Sequence, residues 1–127
     1  MTGVQTCALP ISVSGNEPRV RAFQYQFEQD GKLWFCTARS KDVFRQLQAN
    51  PAVQVCAVRQ DMTWLRVSGK VSLEDNRAVK ERILSERPLI KSLYGTADNP
   101  DFTTFCIEHG AYTIADFSGK PPRGGSF

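Results

Sequence analysis

The chain has 127 residues, of which 41% are hydrophobic and 23% charged, with a net charge of +3. That length sets one domain as the default, with a core of moderate size. No apolar run reaches the roughly 20 residues of a membrane helix, and the basic residues are mixed with acidic ones, which favours a local anion site over a nucleic-acid stripe.

Residues 1–12 (MTGVQTCALPIS) carry no charge and no periodic pattern. They lack the basic start of a signal peptide. Residues 1–11 resemble a translated sequencing-library adapter, so native sequence is expected to begin near Ser12. The expected organisation is an adapter-derived segment at 1–11, one folded domain at 12–119 without its first helix and strand, and a loose tail at 120–127 rich in Gly and Pro.

From residue 19 to 28 the side chains alternate. Arg19, Arg21, Phe23, Tyr25 and Phe27 share one face, and Val20, Ala22, Gln24 and Gln26 the other. Asp30-Gly31 is a two-residue hairpin signal, and LWFCT at 33–37 reads as a buried strand. Ser40 is a suitable N-cap for a helix with Val43, Phe44 and Leu47 on its apolar stripe, ended by Asn50-Pro51. AVQVCAVR at 52–59 is a strand, followed by a turn near Asp61 and a long strand over 63–73. In that strand Leu65, Val67, Gly69 and Val71 face one way and Trp64, Arg66, Ser68 and Lys70 the other.

Residues 75–87 read as an amphipathic helix with Val79, Ile83 and Leu84 inward. Pro88 ends it, a short helical piece follows through Tyr94, and 97–101 is loop. Residues 102–108 and 111–117 read as a closing hairpin around His109-Gly110. At least six strands, tight hairpins and two or three short helices predict a mainly β (α+β), antiparallel barrel with helical decoration. No GxGxxG or GKS loop is present, which removes Rossmann and P-loop readings.

The chemistry-bearing residues are few. The four cysteines form no CxxC pair, and the single His109 lies three residues from Cys106, so a zinc set is not expected. Cys36, Cys56 and Cys106 lie in apolar runs, as buried thiols of a reducing cytoplasm would. His109 reads as an exposed turn residue, no GxSxG occurs, and hydrolysis is not indicated. Flavin chemistry needs less from the protein, because the cofactor carries the reactive atoms. Arg19, Arg21 and Lys41 are placed to meet one anionic ligand, and Thr37 and Ser40 offer hydroxyl donors at a strand end and helix start.

The runs PRVRAF, LWFCT, SKDV, QLQANP and WLRVSGKV resemble the pyridoxamine 5′-phosphate oxidase-like family of FMN-binding split β-barrels, over residues 12–119. The resemblance implies an FMN-dependent oxidoreductase acting on a small-molecule redox substrate. It also implies a homodimer with the cofactor at the interface. By resemblance Arg19, Val20, Arg21, Ala22, Cys36, Thr37, Ser40 and Lys41 line the cofactor, with Arg19 and Lys41 on the phosphate. Trp64 stands where the oxidase proper has a flavin-contacting glutamine. After Phe117 the chain lacks the Trp- and Arg-containing segment of the oxidase proper, so activity on pyridoxamine phosphate is not expected.

Two other readings stay open. One keeps the fold and binds a deazaflavin or haem. The other is a non-enzymatic basic barrel that stacks single strands on Phe23, Tyr25 and Trp34, although core packing explains those positions better.

Overall fold

The computed structural model describes residues 7–8, 11–14, 17–20 and 22–127. Its elements are strands β1 (Cys7–Ala8), β2 (Ile11–Ser14), β3 (Glu17–Val20), β4 (Phe23–Gln24), β5 (Phe27–Gln29), β6 (Lys32–Ala38), β7 (Ala52–Val58), β8 (Trp64–Ser72), β9 (Phe102–Ala115) and β10 (Arg123–Ser126), with helices α1 (Asp42–Ala49), α2 (Arg77–Glu86) and α3 (Pro88–Tyr94). The main sheet is antiparallel in the order β3-β2-β7-β8-β9-β6-β5, with β10 added on β9. The ribbon β1–β4 crosses over, β1 lying against β7 and β4 against β6. The result is a mainly β, split antiparallel barrel with three short helices: the pattern of strands and turns predicts the antiparallel barrel, and the family resemblance implies that it is split.

Alternation along β6 and β9 builds two cores rather than one. Phe35 and Phe105 pair across the strands and point into the barrel, where they meet Val53, Val55, Val67, Val71 and Ile107, with Val43 and Leu47 of α1. Their rings stack at 5.4 Å, with Phe23 edge-on to Phe105 at 5.5 Å. Trp34 and Cys106 also pair across the strands and point the other way, into a cluster with Phe27, Phe102, Val79, Ile83, Leu84 and Ile90. This second core holds α2 and α3 against the sheet. Each fully buried aliphatic or aromatic side chain there contributes roughly 1.5–3 kcal/mol.

The local signals are mostly realised. Asp30 and Gly31 have φ of 57° and 74°, both left-handed, as a primed hairpin turn requires. Asn76 caps α2, its side chain accepting from Val79 N–H at 3.1 Å. Phe23 and Tyr25 pack on the barrel core, and Trp34 is buried with its indole N–H donated to the Gln29 carbonyl at 3.1 Å. These rings are therefore no stacking platform for nucleic-acid bases.

Four expectations are corrected. Residues 19–28 do not form one strand but parts of β3, β4 and β5. Residues 102–117 do not form a hairpin: β9 runs unbroken through His109-Gly110. The register between β8 and β9 slips by one residue there, from Gly69↔Gly110 to Val71↔Ile107, so Glu108 and His109 together lie opposite Lys70 as a bulge that bends a long strand. Glycine is required on both sides of it. A Cβ on Gly110 would lie 2.4 Å from the Ser68 carbonyl oxygen, and one on Gly69 2.9 Å from that of His109.

The third correction concerns the tail. Its residues 123–126 form β10, paired with 111–114 of β9. The fourth concerns Ser40, which is not the N-cap of α1. Lys41 holds that position, without a side-chain cap. Cys7–Ala8 and Ile11, within the segment set apart in the sequence, are paired with Phe23–Gln24, Val20 and Gln54.

Candidate functional site

The turn from β6 into α1 is tied by several polar contacts to the 100–101 loop and to Asp75. Arg39 N–H donates to the Asp101 carbonyl at 2.8 Å. Ser40 donates twice to the Asp101 carboxylate, N–H to Oδ1 at 2.8 Å and Oγ–H to Oδ2 at 2.9 Å. The Arg39 guanidinium donates to the Pro100 carbonyl and reaches Asp75 Oδ2 at 2.8 Å. Asp75 Oδ1 takes Lys80 Nζ at 2.7 Å. Lys80 is buried, its ammonium 5.6 Å from the centre of the Phe102 ring. The hydrogen bond from Lys80, ahead of that from Arg39, holds the Asp75 carboxyl below its usual range. Asp75 thus compensates a cation that burial alone would penalise.

Thr37, the last but one residue of β6, is buried, and its Oγ1 has no hydrogen-bond partner among the described residues. Such an orphan is costly and uncommon. Lys41 is exposed and forms no ion pair among the described residues. Cys36 is half-buried. Burial pushes its thiol up to about 11, with Lys41 and Arg87 pulling the other way, so it stays protonated near neutral pH. Cys106 is likewise pushed to about 11, mainly by burial.

The other candidates lie on the β3–β4 ribbon and on β8. Arg19, Val20 and Ala22 are exposed, and Arg19 pairs with Glu17 at 3.2 Å. Both partners of that pair are mostly in solvent, so it contributes little. Arg21 lies outside the described residues. Trp64 is half-buried against Phe117, ring centres 5.0 Å apart. His109 is exposed, on the strand bulge rather than in a turn. The described residues contain no group of three or more His, Cys, Asp or Glu placed to hold a metal ion. None of their helices is long and apolar enough to cross a membrane.

The pyridoxamine 5′-phosphate oxidase like family model matches residues 1–109. The chain belongs to that family. Among solved structures, a NimC/NimA family protein from Clostridium acetobutylicum is 31% identical, with a TM-score of 0.88 over 96% of this chain and 84% of that one. A pyridoxamine 5′-phosphate oxidase-related, FMN-binding protein from Nostoc punctiforme has 14% identity and a TM-score of 0.70 over 96% and 86%. The same fold recurs in a heme-binding protein from Mycobacterium smegmatis (13% identity, TM-score 0.75, 97% of this chain and 52% of that one). It recurs also in an F420 reductase (20% identity, TM-score 0.65, 84% and 88%). No curated protein sequence matches the chain.

Of the four described side chains expected to donate to a flavin phosphate, Thr37, Lys41 and Arg19 are not committed to the fold's own acceptors. Among the described residues the Thr37 hydroxyl lacks a partner, Lys41 forms no ion pair, and Arg19 forms one exposed ion pair. Ser40 is the exception, since both its donors already serve Asp101. Arg39, Asp75 and Asp101 are absent from the sequence-based site. Their roles arise from contacts between segments 36 to 61 residues apart, for which the local sequence carries no signal.

Proposed function

We propose that the chain is an FMN-binding flavoprotein, a small cytoplasmic oxidoreductase acting on a small-molecule redox substrate. The family match over residues 1–109 carries the reading, together with an FMN-binding neighbour of the same fold. Bound FMN would supply the hydride chemistry; the protein supplies binding, orientation and electrostatics. Lys41 and Arg19 would hold the phosphate, the first as a point charge and the second as a planar fork. Thr37 would add a hydroxyl. Val20, Arg21, Ala22, Cys36 and Trp64 would flank the remainder of the cofactor. The raised Cys36 thiol suits a neutral wall, not a nucleophile.

The active species in this reading is a homodimer with the cofactor between subunits. Exposed Val20 and Phe117, 62% and 76% accessible, support a further surface that is covered on association.

Flavin titration followed by fluorescence quenching tests the assignment. The expected outcome is that Lys41→Ala and Arg19→Ala each weaken FMN binding at least about tenfold, the scale of one lost charge-assisted hydrogen bond. Unchanged affinity in both variants would refute the phosphate assignment. A second reading keeps the fold with a deazaflavin or haem and is favoured by the F420 reductase and heme-binding neighbours. The absorbance spectrum and mass of the small molecule that copurifies with the protein separate the two.

A further inference from the structure

We propose that the Asp101 carboxylate is the resident anion of the β6–α1 turn, and that it must release Ser40 before a ligand phosphate can be held there. The inference rests on the FMN reading above. Ser40 offers two donors, and one carboxylate takes both, at 2.8 and 2.9 Å. A carboxylate and a phosphate are competing acceptors for such an N–H and O–H pair. Two anions a few ångströms apart also repel, so they do not share one donor pair without cost.

Release needs little rearrangement. The Asp101 backbone is held independently of its side chain: its carbonyl accepts from Arg39 N–H, and its N–H donates to Asn99 Oδ1 at 2.9 Å. Asn99 is tied in turn to the Tyr94 carbonyl at 2.9 Å. Side-chain rotation at Asp101 therefore frees Ser40 while the loop stays in place. Lys41, next in sequence and unpaired among the described residues, then becomes the compensating charge for the incoming phosphate. Ser40 is thus a donor in reserve, and Asp101 sets how much affinity its recruitment gives up.

The test is Asp101→Asn, which keeps the shape and an acceptor for Ser40 N–H but removes the charge. FMN affinity and the competing affinity of inorganic phosphate are measured on the full chain beside the parent. If Asp101 competes, both ligands bind roughly tenfold tighter in the variant, well within what like charges near a protein surface exchange. If Asp101 only braces the turn, the variant binds equally or more weakly, and the proposal is overturned.

A second readout does not depend on the variant's folding. In the unmodified protein, the Asp101 side-chain carboxyl ¹³C resonance should move on addition of FMN. A resonance that stays in place at saturation also overturns the idea. Failure of the parent and the variant alike to bind FMN refutes the flavin reading instead, and this proposal with it.

Discussion

Residues 102–107 and 17–20 are both strand, and they have opposite surroundings. In FTTFCI every residue is buried; in EPRV every residue is exposed. The first stretch is covered by the barrel core on one face and by α2 and α3 on the other. The second lies at the edge of the main sheet, paired among the described residues with β2 alone. The contrast separates two tasks. Stability is concentrated where a strand is packed on both sides, and the candidate ligand residues Arg19, Val20 and Lys41 sit where packing is thin and donors face solvent.

The largest expected effect breaks the doubly packed strand. Phe102 is fully buried, stacks on Tyr94 at 4.6 Å and lies under the Lys80 ammonium. Phe102→Ala is expected to lower unfolding free energy by about 3–5 kcal/mol in a urea titration. A loss near 1 kcal/mol would mean that the helix layer contributes little and that the contrast is overstated.

Next is the bulge that bends β9 against β8. Gly110→Ala places a Cβ against the backbone oxygen of Ser68, which no side-chain rotation can relieve. The expected loss is about 1–3 kcal/mol, as for overpacking. A neutral result would show that β8 and β9 separate more easily than their ladder suggests.

These elements also show what was legible in sequence. The Asp30-Gly31 hairpin was, because its requirement for positive φ is local. So were the inward residues Val79, Ile83 and Leu84 of α2, because helical periodicity is local too. His109-Gly110 was misread as a turn because glycine there answers a long-range need, close approach to Ser68 across the ladder. Ser40 has the chemistry of an N-cap, but Asp101, 61 residues away, takes its hydroxyl. The tail has the composition of a loose end, yet its backbone pairs with β9 beyond the point where β6 stops. At the candidate site, residue types were readable, whereas which donors are free was not.

A smaller effect probes the junction between the two regions. Asp75 is half exposed but links Arg39 of the turn to buried Lys80. Asp75→Asn is expected to cost about 1–2 kcal/mol, much of it from leaving Lys80 without its counter-charge. The pH dependence has a definite sign. The folded carboxyl titrates below its ordinary value, so its contribution is present above the usual carboxylate range and is lost as pH falls through the lowered value. The melting temperature of the parent should therefore fall more steeply than that of the variant between about pH 5 and pH 2. Parallel curves would show that this ion pair does not couple the turn to the core.

The smallest expected change in stability is the most discriminating one. Among the described residues Lys41 and Arg19 belong to neither core cluster, and their one ion pair, Arg19 with Glu17, lies in solvent. Replacing either with Ala should move unfolding free energy by no more than about 0.5 kcal/mol, because Lys41 occupies the α1 N-cap position without a side-chain cap bond and Arg19 is a surface residue. The same variants are expected to lose at least about tenfold in FMN affinity. Measured on one preparation, the two numbers separate a binding role from a structural one. A variant that loses both stability and affinity would place its side chain among the packed residues. One that loses affinity alone assigns its side chain to binding and leaves stability to the doubly covered strand.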